Sequence, residues 1–136
     1  MSKKYPMTLI ILSPDVDKIH MAMTLAVTAA SEGRPTSLFF AKKAADVLTR
    51  GGWDRLCQAE GYAAGAFDAH HENAGLPDFA LLAQALGAVN ARFLICDAAV
   101  TEYGITSDQL LSHPHIEVLS LGELLKQGFG GDWMTF

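Results

Sequence analysis

Charge is scarce in this chain, and basic charge scarcer still. Of its 136 residues 18% are charged, with ten Lys and Arg against fifteen Asp and Glu, for a net charge of −5. General binding to nucleic acid or to an anionic membrane needs a basic surface, so neither partner is expected. No apolar run approaches the length of a membrane span. The basic opening Met1-Ser2-Lys3-Lys4 leads into an apolar stretch that covers only Met7 to Leu12, and Asp15 and Asp17 follow without a convincing cleavage site. A secretory signal is therefore not expected. Cysteine is scarce too: Cys57 and Cys96 are the two present, and they form no CxxC. That excludes a disulfide scaffold and suits a reducing, cytoplasmic setting. What the chain has in plenty is hydrophobic residues, 50% of the total. This argues against disorder and gives one domain, 1–136, room for a real core.

Strand and helix signals alternate. Met7 to Leu12 reads as a strand buried on both faces, as in a parallel sheet. Ser13-Pro14-Asp15 then opens a helix, with Ser13 as cap and Pro14 at the first helical position. Its stripe is Ile19, Ala22, Met23, Ala26, Ala29 and Ala30, and Gly33 ends it. Thr36 to Ala41 is a second strand. Lys42 to Arg50 reads as a short helix stopped by Gly51-Gly52, with another turn or two over Trp53 to Glu60. Gly61 to Pro77 reads as a long loop or a mobile cover. Asp78 caps a helix to about Val89, with Leu81, Leu82, Ala85, Leu86 and Val89 inward. Arg92 to Cys96 is the third strand, followed by a short helix closed at Gly104. Thr106 and Ser120 start two capping-box patterns on either side of a fourth strand, Ile116 to Leu119. Asp132 to Phe136 reads as a short edge strand. The expected fold is α/β: a three-layer α/β/α arrangement on a mostly parallel sheet of about five strands, flavodoxin- or Rossmann-like.

Ligands in such folds bind beyond the carboxyl ends of the strands. Cys96 stands at such an end, where a strand meets a helix. Backbone N–H groups at a helix start favour a thiolate, the reactive form of cysteine. Ser13 and Asp15 follow the first strand, and Lys42 and Lys43 the second. If the first three strands are neighbours, these residues share one crevice with Cys96. Asp97 has two readings. Its carboxylate either opposes the thiolate as a like charge or serves as the helix cap, its charge held by backbone N–H groups.

A family resemblance rests on the order of several short motifs. Asp15-Val16-Asp17-Lys18, the Ala-rich helix to Gly33 and Thr36-Ser37-Leu38-Phe39-Phe40 resemble the first βαβ unit of DsrE/DsrF-like proteins. Leu76-Pro77-Asp78, a helix, Arg92 to Cys96, a short helix and Tyr103-Gly104-Ile105 resemble the segment that carries that family's sulfur-accepting cysteine. The likeness is to the branch often labelled peroxiredoxin-like and covers the chain except Trp53 to Gly75. It implies homo-oligomeric assembly, as a trimer or hexamer, and persulfide carriage between sulfur-donor and sulfur-acceptor proteins. It implies Cys96 as the acceptor position. Such exchange of sulfane sulfur needs no cofactor.

The remaining candidates have plainer readings. Cys57 reads as a packed core residue, or alternatively as a resolving thiol for Cys96 in a redox sensor. A non-catalytic oligomeric module for a small ligand or a protein is a further alternative. His70-His71-Glu72 lacks the companions of a metal site and reads as a polar loop, as does His113-Pro114-His115. Gly51-Gly52 and the glycines of 128–131 lack phosphate-loop patterns. Trp53, Trp133 and Phe136 read as exposed aromatics suited to a subunit contact.

Overall fold

A computed structural model describes residues 5–136; Lys3 and Lys4 of the basic opening lie outside the described residues. The strands are β1 (Met7–Ile11), β2 (Thr36–Phe40), β3 (Arg92–Cys96), β4 (Ile116–Leu119) and β5 (Asp132–Thr135). They form one parallel sheet in the order β4-β3-β2-β1-β5. The helices are α1 (Val16–Ser31), α2 (Gly52–Ala59), α3 (Ala66–Asn73), α4 (Phe79–Ala88), α5 (Asp97–Tyr103) and α6 (Leu121–Gln127). Two 3-10 segments, Lys42–Leu48 and Ser107–Gln109, complete the set among the described residues. The α/β class and the three layers are as expected from the sequence.

The alternation of strand side chains builds two cores. Leu9, Ile11, Leu38, Phe40, Phe93 and Ile95 point to one face, where α1, α2, α3, α4 and α5 bury their side chains. Phe39 and Leu94 point to the other, against Leu124 of α6. Ala22, Ala26 and Ala29 of α1 are buried, and their small size lets this helix lie close on β1 and β2. The second face is capped by a helix of seven residues, so it is the thinner layer. Gly128, just after α6, is required there: a Cβ would come within 2.5 Å of the Trp133 ring and 2.8 Å of the Thr8 hydroxyl. β5 is the edge strand the sequence suggested, and Phe136 ties the chain end to β1 through Leu12 N–H, which donates to its carbonyl at 2.9 Å.

Several local expectations are corrected. Asp15, not Ser13, caps α1: its side chain accepts from the N–H groups of Asp17 and Lys18, so the helix starts at Val16 and Pro14 lies outside it. The short helix expected over Lys42 to Arg50 is a 3-10 segment that ends earlier, Lys42–Leu48. The 61–77 stretch is not a plain loop, because α3 forms within it from Gly65, whose φ of 75° suits glycine. Phe67 supplies the side chain that α3 buries. Leu81 faces out at 53% exposure, since the apolar stripe of α4 runs through Leu82 and Leu86 instead. Trp53 is buried, not exposed. Its ring stacks on Phe79 at 4.6 Å and its Nε1–H donates to Asp68.

Candidate functional site

The strand order decides where a crevice opens. β1, β2 and β3 each connect to the next strand on the same side, while β4 connects back across the sheet to β5, beyond β1. β3 and β4 are therefore neighbours whose chains depart in opposite directions, α5 to one face and α6 to the other. Such a reversal point is where open α/β sheets bind ligands. Cys96 is the last residue of β3 and pairs in register with Leu119, the last of β4. β1, β2 and β3 are also neighbours, so the carboxyl ends that carry Ser13, Lys42 and Cys96 lie along one edge of the sheet.

Cys96 is partly exposed and packs against both cores, since it ends β3 between Ile95 on one side and Leu119 on the other. It is itself the N-cap residue of α5, with extended φ and ψ of −62° and 128°, and no side chain caps the helix start. Asp97 is thus the first helical residue rather than the cap. Its exposed carboxylate stands 4.0 Å from the Cys96 sulfur, Oδ1 facing Sγ. The reading of Asp97 as cap does not hold; its carboxylate instead accepts the contact that the Cys96 thiol donates.

Ser13 and Asp15 are occupied locally. The Ser13 hydroxyl accepts from the Asp15 N–H at 3.2 Å, and Asp15 caps α1. Glu60, a residue that sequence reasoning passed over, accepts from the Val16 N–H at 2.7 Å from 44 residues away. Two carboxylates therefore already complement the positive end of α1. No local pattern could have revealed Glu60, because its partner is set by how α2 packs on α1.

Lys42 and Lys43 diverge. Lys42 reaches Glu102 on α5 at 3.5 Å. Lys43 opens onto a cleft lined also by Arg50 and Tyr103. Cys57 is buried on α2, and both cysteines are free. Burial pushes the Cys57 thiol up to about 11, helped by the nearby carboxylates of Asp68, Asp54 and Glu60. A thiol so disfavoured as an anion is a poor nucleophile at neutral pH. The histidines form no metal group: among the described residues no cluster of three or more metal-binding side chains occurs. His71 instead pairs with the Phe67 carbonyl at 2.9 Å, and its ring lies 4.0 Å from that of His20.

The geometry can be set beside known proteins. The model of the DsrE/DsrF-like family matches residues 7–136. The solved structure of MTH1491 from Methanobacterium thermoautotrophicum, a protein of unknown function, superposes with a TM-score of 0.68 at 14% identity, covering 98% of this chain and 100% of that one. The ychN protein from E. coli gives 0.66 at 16% identity, with 97% and 99% covered. BT1422 from Bacteroides thetaiotaomicron gives 0.58 at 10% identity, with 96% and 94% covered. At these identities the likeness is one of fold. No curated protein sequence matches the chain.

Proposed function

The chain belongs to the DsrE/DsrF-like family, and from that premise we propose that it carries sulfane sulfur as a persulfide on Cys96. Membership supports a role of sulfur-relay type. The observation that carries the finer reading is the position of Cys96, partly exposed at the reversal point between β3 and β4.

In the proposed step the Cys96 thiolate attacks the outer sulfur of a donor persulfide. The donor S–S bond breaks, its electron pair leaves with the donor thiolate, and a new S–S bond forms at Cys96. An acceptor thiolate then removes the outer sulfur in the same way. The exchange is redox-neutral and needs no external oxidant. Its rate depends on the thiolate fraction, the leaving group and access. The uncapped start of α5 leaves backbone N–H groups free to meet the anion.

Donor and acceptor proteins are the proposed partners, the cytoplasm the proposed setting, and a homo-oligomer the proposed assembly. Two free cysteines suit a reducing compartment. No helix among the described residues is long and apolar enough to cross a membrane. Mass spectrometry after treatment with a low-molecular-weight persulfide tests the reading. Cys96 should gain one sulfur mass, and Cys96→Ser should abolish the gain. An unloaded wild type, or equal loading of Cys96→Ser, would overturn it.

A further inference from the structure

A second site lies away from the thiol, at the opposite end of α5. There the 3-10 segment 42–48 and α2 face the end of α5 and the segment 107–109 across an open cleft of about 680 Å3. That volume falls within the roughly 300–1,000 Å3 of small-molecule sites. We propose that this cleft binds a small organic anion, its acidic head held by Lys43 and Arg50 and its apolar body lying on Leu56, Ile105 and the Tyr103 ring.

The charge pattern carries the first half of the proposal. The chain is acidic overall, yet three of its ten Lys and Arg residues line this one cleft. Arg55 is committed: its guanidinium grips both oxygens of Asp46, at 3.1 and 3.0 Å, and donates to the Thr49 hydroxyl at 2.6 Å. That grip holds the Asp46 carboxyl below its usual range, as a neutralised partner rather than a repelling one. Lys43 has no ion-pair partner among the described residues. Arg50 spends one N–H group on the Asp108 carbonyl, and its other side-chain donors remain for a ligand. The Asp108 carboxylate also lines the cleft and accepts from the Thr106 hydroxyl. Three cations against two carboxylates leave the cleft with one net positive charge.

The second half rests on how firmly the cleft is built. Its two walls are joined by backbone bonds on either side of a bridge between Thr49 and Leu110: Arg50 N–H donates to the Gln109 carbonyl at 2.9 Å, and Leu111 N–H to that of Leu48 at 2.8 Å. Thr49 is buried, and its hydroxyl donates to Asp46. The glycine pair before Arg55 is part of the same construction. A Cβ on Gly52 would come within 1.7 Å of the Asp46 carbonyl oxygen, so the turn closes only because glycine stands there. A preformed wall lowers the ordering cost of binding. Tyr103 stays 44% exposed beside Ile105, which offers a ring face to an apolar group next to the two cations.

Calorimetric titration with benzoate, phenyl phosphate, inorganic phosphate and benzyl alcohol tests this. Benzoate and phenyl phosphate should each saturate one site. Benzyl alcohol should not bind, and inorganic phosphate should bind at least about tenfold more weakly than its phenyl ester. Lys43→Gln and Arg50→Gln should each weaken the aromatic anions about tenfold, the loss expected of one charge-assisted contact. Lys43 is exposed and makes no internal contact of this kind, so its substitution reads binding without threatening the fold. Cys96→Ser should bind as the wild type does, which separates this site from the persulfide reading. No saturable binding of either aromatic anion would overturn the proposal. So would binding that ignores both substitutions, or inorganic phosphate binding as tightly as phenyl phosphate.

Discussion

The Asp97 carboxylate faces the Cys96 sulfur at 4.0 Å and caps nothing. Two negative charges at that distance in water-like surroundings repel by enough to shift a population about fivefold. Asp97→Asn should therefore raise the rate of iodoacetamide alkylation at Cys96, near neutral pH and low salt, by a factor of about five. The gap between variant and wild type should narrow as salt is added. A slower Asn variant would show that the carboxylate assists the reaction instead of opposing it.

Cys57 supplies the internal contrast. Its thiol is pushed from 9.0 up to about 11, chiefly by burial. The folded protein then keeps a proton that the unfolded chain releases above about 9. The resulting stability is complete below that pH and is lost as pH rises through about 11. Between these limits wild-type Tm should fall more steeply than that of Cys57→Ala, by a few degrees for a chain of this size. Parallel curves would mean that Cys57 ionises as freely folded as unfolded. At neutral pH, limited alkylation should label Cys96 and spare Cys57.

The sequence was easiest to read where one stretch of chain contains its own explanation. β1, β2 and β3 are apolar runs, α4 and α6 carry their caps at Asp78 and Ser120, and Cys96 is visible as a strand end followed by a helix. Reading failed where distant partners decide. α3 buries only Phe67, and the aromatic group of Trp53, Phe67 and Phe79 that holds it comes from three separate segments. Strand order is also a long-range property. The pairing of β4 with β3, and of β5 with β1, gives Cys96 its place at the reversal point, and no local pattern in 92–104 encodes it. Ser13 shows the converse: polar residues at a strand end can satisfy one another and leave nothing for a ligand.

The Glu60 bond to Val16 N–H gives this argument a measurable form. The contact joins the end of α2 to the start of α1 and satisfies a backbone donor that Asp15 does not reach. Glu60→Ala should cost about 1 kcal/mol in denaturant unfolding, the usual worth of a capping side chain. Glu60→Gln retains an acceptor and should recover most of that loss. Equal destabilisation by both would assign the effect to charge at the end of α1 rather than to the bond.

The thin face of the sheet makes the last prediction. Leu124 of α6 is buried on Phe39 and Leu94, yet Leu121 and Leu125 on the same helix are 52% and 57% exposed, and Phe129 just beyond it is 88% exposed. Their spacing of four residues places Leu121 and Leu125 on one side of the helix. With Leu124 they form one apolar stripe about 100° wide, of which the sheet covers the Leu124 edge and leaves the rest bare, as suits a helix that lies between a sheet and something else. In the homo-oligomer proposed above, that something is a second copy of the chain, and the α6 surface then adjoins the Cys96 end of β3. Leu125→Glu and Phe129→Glu should each shift the mass seen by light scattering toward the monomer. Because both side chains are exposed in the single chain, Tm of the separated monomer should change little, as is usual for surface substitutions. An assembly of unchanged mass in both variants would place the subunit contact elsewhere, and a wild type that scatters as a clean monomer would remove the homo-oligomer altogether.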